Sequence, residues 1–214
     1  MSQGTKPVTQ ARARATRDKL VAALETLLRE KTFEDISMAD LAREAGLAVG
    51  TVYRRFDNKE AFIPVIFDLY MSRLQARMAT PEGQTEIDPE KGLRAALRAI
   101  CAGAWAFTKT DGHLIRAAHV YAHLRPDLVG EEWDELLEAS VLGFTQVVGV
   151  FSEEINRPDG DAAARMLVYL MNTLLSEKGL YREDGIGSVL RVSDDVFVRD
   201  IADTLYGFLT APAD

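Results

Sequence analysis

Cysteine occurs once in the 214 residues, as Cys101. A lone thiol excludes an intrachain disulfide framework and every cysteine-rich metal motif. Long apolar runs are missing as well. None approaches the ~20 residues of a membrane span, and the N-terminus has no apolar core of the kind that marks a signal peptide. The expectation is a cytoplasmic chain with no membrane partner. There is no Walker loop, no glycine-rich dinucleotide turn after a strand and no HExxH, so neither a cofactor nor catalysis is expected. Histidine is scarce: His113, His119 and His123 are the only three. His119 and His123 stand four apart, a legitimate two-ligand spacing on a helix. No carboxylate or thiol is placed by sequence to complete the set, so no metal is expected.

Apolar periodicity of the helical kind fills the chain, and alternation of period two never lasts long enough for a strand. The fold class is all-α. Hydrophobic residues make up 47% of the composition, ordinary for a globular protein. The net charge of −8 argues at first against a nucleic-acid partner, but its distribution answers the objection. Residues 1–60 hold 11 Lys or Arg against 9 Asp or Glu, while the remaining 154 hold 14 against 24. An acidic body with a mildly basic head fits a protein that docks on DNA by one end.

The most informative stretch is Ser37–Phe62, SMADLAREAGLAVGTVYRRFDNKEAF. Ser37 followed three residues later by Asp40 is a helix-start signal, because each side chain can satisfy an orphan amide of the first turn. Leu41, Ala42 and Ala45 continue at helical spacing, and Gly46 sits where a helix ends in a left-handed residue. A second helix, Ala48 to Phe56, begins at once. Two short helices about a glycine turn form a helix-turn-helix, whose second helix can enter a major groove. Val52 and Phe56 are four apart and face inward, whereas Val49 can pack inward or touch a thymine methyl. Gly50, Thr51, Tyr53, Arg54 and Arg55 remain for phosphates and base edges. Gly50 lowers helix stability by ~1 kcal/mol against alanine, so a bare backbone here implies a close approach.

The run Ala45-Gly-Leu-Ala-Val-Gly-Thr-Val-Tyr-Arg-Arg-Phe56, continued by Asn58-Lys-Glu-Ala-Phe62, resembles the DNA-binding domain of the tetracycline-repressor (TetR) family. The likeness covers about Ala15 to Phe62. It implies an all-helical homodimer that binds double-stranded operator DNA and responds to a small effector. It also implies phosphate contacts from Tyr53 and Lys59 and base reading near Val49, Gly50 and Thr51. Arg54 and Arg55 occupy variable positions and can touch backbone or bases. Ala48 departs from the family, which often has a serine there to cap the recognition helix.

Residues 1–11 are expected to be a disordered lead-in, 12–60 the DNA-binding domain and 61–214 an effector-binding and dimerisation domain. Met1 to Thr9 lacks periodicity. Arg12, Arg14, Arg17 and Lys19 then form a basic arm able to follow a duplex; Arg14 and Arg17, with Ser37, join the DNA-facing candidates. Leu20, Leu24 and Leu27 give the first helix its apolar face from about Ala13 to Lys31. A fourth helix from Lys59 to about Thr80 leads out of the head. Pro64 predicts a kink or restart in it, and it is read as the only covalent route from head to body. Helices are further expected over Glu90–Thr108, His113–Leu124 and from Pro126 to Asn156. Ala162–Leu175 is apolar on nearly every side and Ile201–Leu209 is similarly rich in large apolar residues, which points to a partner covering their outer faces. By resemblance that partner is a second copy, joined in a four-helix bundle. Leu167, Leu170, Leu174, Ile201, Leu205 and Phe208 are the interface candidates.

The resemblance places an effector pocket inside the body. Its candidate lining is Trp105, Ile115, His119, Tyr121, Trp133, Leu137, Phe144, Met166 and Tyr169, a set suited to an apolar or aromatic ligand. Repression is the leading expectation. A transcriptional activator remains an alternative, as does a small-molecule binding protein or enzyme with an incidental helical hairpin.

Overall fold

Ser37 and Asp40 form the reciprocal capping box that their spacing predicts. Asp40 N donates to Ser37 Oγ at 3.0 Å, and Ser37 N donates to Asp40 Oδ2 at 3.0 Å. This cap begins α2 (Met38–Glu44), the second of eight α-helices in the computed structural model, which describes residues 6–81, 85–180 and 186–212. The others are α1 (Lys6–Glu30), α3 (Val49–Tyr53), α4 (Ile63–Met78), α5 (Gly92–Leu124), α6 (Glu131–Val150), α7 (Gly160–Leu180) and α8 (Asp194–Thr210). The described residues contain no strand. None of their helices is long and apolar enough to cross a membrane.

The helices fall into two units, one of residues 1–71 and 117–129, the other of 72–116 and 130–214. In the first, α1 packs on α2 and α2 on α3. Leu20, Leu24, Leu41, Val52, Phe62 and Ile66 are completely buried, and Phe56 stacks on Phe62 with ring centroids 3.8 Å apart. Gly46 ends α2 at φ 63°, the left-handed conformation that glycine adopts without a Cβ penalty. Asn58 caps a 3₁₀ turn, Lys59–Phe62, by accepting from Ala61 N at 3.1 Å. Helix α4 then begins at Ile63. Pro64 lies in its first turn, where a missing N–H breaks no helical bond, so the expected interruption is a restart.

Three boundaries differ from the sequence reading. Disorder to Thr9 is replaced by helix from Lys6 onward, so Arg12, Arg14, Arg17 and Lys19 are helical; the expectation for residues 1–5 lies outside the described residues. The long helix starts at Glu131 after a 3₁₀ turn at Pro126–Leu128 and ends at Val150. The two helices expected on either side of Asp111 are continuous in α5 except at Asp111 itself, which departs from helical geometry at φ −116°, ψ 17°. Beyond Arg116 the last turns of α5 belong to the first unit. Helix α4 is therefore not the only covalent link: the chain passes between units at 71/72, 116/117 and 129/130.

The second unit is held by an apolar cluster from α5, α6, α7 and α8, including Leu97, Trp105, Phe144, Val148, Leu167, Phe197 and Leu205. Burial pushes the Cys101 thiol within it up to about 12, so the group is a neutral, inert apolar filler at physiological pH. Helix α7 comes so close to α5 at Gly179 that a Cβ there would overlap Thr108 Cγ2 and stand 3.1 Å from Trp105. The end of α4 is tied to α5 by Arg77, which donates to Gly103 O at 3.0 Å, and by Arg73 at 3.4 Å from buried Asp111.

Candidate nucleic-acid interface

Helix α3 is only five residues long, shorter than the expected Ala48–Phe56: Ala48 stands before its first residue without a side-chain cap bond, and the chain turns at Arg54. Val52 is fully buried and anchors it, while Val49 and Tyr53 are 40% and 51% exposed. The ambiguity at Val49 resolves outward. Gly50, Arg54 and Arg55 are exposed and Thr51 is half-buried. Apart from its chain neighbours and its own helix backbone, nothing comes within 4 Å of where a Gly50 Cβ would stand, so its bareness relieves no packing inside the chain. Arg54 is laid along its own helix, donating to Thr51 Oγ1 at 3.0 Å and to Gly50 O at 3.3 Å. Helix α3 and the turn after it thus carry outside the core a methyl-bearing residue, a bare backbone, a hydroxyl, a phenol and two guanidinium groups.

Lys59 is half-buried beside this face. Its ammonium donates to Glu34 O at 2.7 Å and lies 5.1 Å from the centroid of the Phe33 ring. Ser37 is exposed, but its hydroxyl is engaged with Asp40. Lys31 donates to Asp40 at 2.9 Å, and that bond, with those of Ser37 and Arg43, holds the carboxyl well below the usual carboxylate range. Arg14 and Arg17 are exposed on α1, and Arg17 pairs with Asp68 of α4 at 3.4 Å.

The remaining candidates are not gathered in one place. Trp105, Ile115 and Phe144 are buried in the second unit and Trp133 is half-buried there, while Leu137, Met166 and Tyr169 of the same unit are exposed. His119 and Tyr121 belong to the first unit instead. Burial first, then the neighbouring His123, holds the His119 imidazole below its usual range, and His123 Nδ1 lies 2.8 Å from His119 O. No group of three or more potential metal ligands occurs among the described residues. A groove of about 420 Å³ opens along α5 and the start of α8, lined by Trp105, Ala102 and Val198 with Arg98, Lys109, Arg199, Asp194 and Asp195. Trp105 alone represents the expected pocket set there. Of the interface candidates, Leu167, Ile201 and Leu205 are core residues of their own chain, whereas Leu170, Leu174 and Phe208 are half-buried.

Sequence reasoning missed Tyr121 and Arg125 as parts of the head. Tyr121 sets its ring edge-on to Phe33, centroids 5.2 Å apart, and donates to Glu34 Oε1 at 2.9 Å. Arg125 pairs with Glu60 and with Asp127.

Fold and surface together define an all-helical protein with an N-terminal helix-turn-helix. Residues 20–64 match the family model for bacterial regulatory proteins of the tetR family. A curated relative, the HTH-type transcriptional regulator EthR of Mycolicibacterium smegmatis, is 30% identical over 78 residues, spanning 36% of this chain and 36% of that protein. The match thus reaches about a third of the relative's length. A transcriptional regulator from a Rhodococcus species shares the fold at TM-score 0.63 and 21% identity, over 90% of this chain and 94% of that one. Salmonella enterica GusR does so at TM-score 0.59 and 21% identity, over 92% and 96%. The TetR family transcriptional regulator PfmR of Thermus thermophilus does so at 0.59 and 18%, over 87% and 96%. Residues 20–64 are thus similar to the head of the tetR family, and the fold of the chain to that of the solved regulators.

Proposed function

We propose that this protein is a one-component transcriptional regulator that binds a near-palindromic operator as a homodimer and represses until a small apolar or aromatic effector releases it. The observation that carries the reading is the outer face of α3. Val49, Gly50 and Tyr53 stand exposed on a helix fixed from behind by Val52, with Arg54 and Arg55 exposed in the turn that ends it, within the stretch that matches the family's head. Such a face reads base edges while neighbouring cations hold phosphates. Two heads would enter successive major grooves about 34–36 Å apart. Large apolar side chains left exposed in the second unit, Leu142, Met166 and Tyr169 among them, support self-association.

The test is a gel shift of the purified protein against DNA flanking its own gene, with and without cell extract as a source of effector. Retention of a discrete fragment, lost on adding extract, supports the reading. Failure to retain any upstream fragment under either condition overturns it. Reporter expression from the retained promoter, with and without the protein, separates repression from activation.

A further inference from the structure

Two acidic residues, Glu34 and Glu60, neighbour Lys59 on the first unit. Glu34 accepts the Lys59 ammonium through its own backbone carbonyl at 2.7 Å, and Glu60 is the next residue in the chain. Neither carboxylate is left to Lys59. The returning end of α5 takes both: Tyr121 Oη donates to Glu34 Oε1 at 2.9 Å, and Arg125 pairs with Glu60. These partners are held in place. Tyr121 is 8% exposed with its ring packed edge-on against Phe33, the same ring over which Lys59 lies. The Arg125 guanidinium is further fixed by two hydrogen bonds to Asp127, at 2.9 and 2.8 Å. The Tyr121 phenol is pushed well above its usual range, first by burial, then by its bond to Glu34 and by the charges of Glu34 and Glu60. Both acids therefore act on the same phenol.

We propose that Tyr121 and Arg125 are positioning residues for DNA docking, which engage Glu34 and Glu60 so that Lys59 meets a phosphate without two competing carboxylates. The inference rests on the DNA-binding reading above. A phosphate held by Lys59 would lie within a Debye length, about 8–10 Å at physiological salt, of charges on these neighbours. Free of Tyr121, the Glu34 carboxylate can fold onto Lys59 and neutralise it; free of Arg125, Glu60 adds an exposed negative charge beside it. Neither residue needs to touch DNA.

The experiment is fluorescence anisotropy with the full chain and the upstream duplex, at several salt concentrations, with helix content checked by circular dichroism. Tyr121→Phe keeps the ring and removes only the hydroxyl; Arg125→Gln removes the guanidinium from both Glu60 and Asp127. Each should weaken binding about two- to fivefold, the scale of an exposed charge pair. Removing the acids should erase each effect, so that Tyr121→Phe costs nothing in a Glu34→Gln background and Arg125→Gln nothing in a background carrying both Glu60→Gln and Asp127→Asn. Equal affinity of the single variants and the wild type would overturn the proposal. So would a loss that persists in the acid-removed backgrounds, since that is the signature of direct contact or of damaged packing. A wild-type chain that binds no duplex would bring down the DNA-binding reading and this proposal together, a result distinct from the other two.

Discussion

Arg54 Nη2 donates to Thr51 Oγ1 across 3.0 Å, one turn apart on the exposed side of α3. The pair orders a long side chain at the middle of the proposed reading face and aligns a guanidinium with a hydroxyl. Thr51→Ala frees Arg54, and Arg54→Ala removes it, so each is expected to change which operator sequence is preferred, by ~1–3 kcal/mol at individual base positions. Lys59→Ala should act differently, weakening all sequences alike and lowering the salt slope by about 1. Competition titrations against a panel of single-base operator variants distinguish the two patterns. A uniform loss for Thr51→Ala and Arg54→Ala would reassign both to the backbone.

The capping box makes a prediction about pH. Lys31, Ser37 and Arg43 depress the Asp40 pKa in the folded chain, so the unfolded chain binds that proton more readily. The stabilisation is therefore present above the ordinary carboxylate range, near pH 4, and is lost as pH falls below it toward the folded-state value. Urea denaturation at pH 7 should show Asp40→Asn less stable than wild type, with the difference shrinking between about pH 4 and pH 2. Ser37→Ala should cost ~1 kcal/mol at neutral pH, the usual value of an N-cap. A pH-independent gap for Asp40→Asn would mean that geometry, not charge, is lost.

Local chemistry explains what the sequence discloses. The Ser37–Asp40 spacing, the glycine at position 46 and the inward Val52 are decided by residues within a few positions of one another, and all three occur in the structure as read. The end of α5 is not legible in this way. Tyr121 meets Glu34 across 87 residues, and no periodicity in either segment announces such a contact; by pattern alone its ring resembles pocket lining. Apolar density misleads in a second way. Leu167, Ile201 and Leu205 suggest an interface because their helices are greasy all round, yet their own chain buries them. A rich apolar pattern reports that a helix is covered, not by whom. The length of α3 is overestimated from sequence because an inward pair at Val52 and Phe56 fits both a continuous helix and a helix that ends in a turn.

Gly179 tests the packing of α7 on α5. Replacing a helical glycine with alanine ordinarily gains ~1 kcal/mol. Here the new Cβ would overlap Thr108 Cγ2 and crowd Trp105, and overpacking typically costs ~1–3 kcal/mol. The second effect should win, so Gly179→Ala is expected to lower the thermal midpoint. Thr108→Ala should relieve it, leaving the double variant closer to wild type than the single one. A Gly179→Ala chain more stable than wild type would show that α7 moves away from α5 at little cost.

The dimer prediction turns on which apolar residues are free to meet a partner. Leu205 is fully buried and Leu167 likewise, so a charge at either position would be driven into the chain's own core and should unfold the second unit rather than separate two copies. Tyr169 is 65% exposed and Met166 42%, three positions apart on the outer side of α7, and Leu142 on neighbouring α6 is 61% exposed. Because they stand outside the core, these side chains can be altered without opening it. Tyr169→Glu is therefore expected to preserve helix content and cooperative unfolding while shifting the light-scattering mass at micromolar concentration from twice that of the chain to that of the chain itself. Operator affinity should fall in the same variant, since two linked heads bind far more tightly than one. A Tyr169→Glu chain that still runs as a dimer would move the interface away from this face of α7. A wild-type chain that runs as a monomer would remove the two-headed docking geometry altogether.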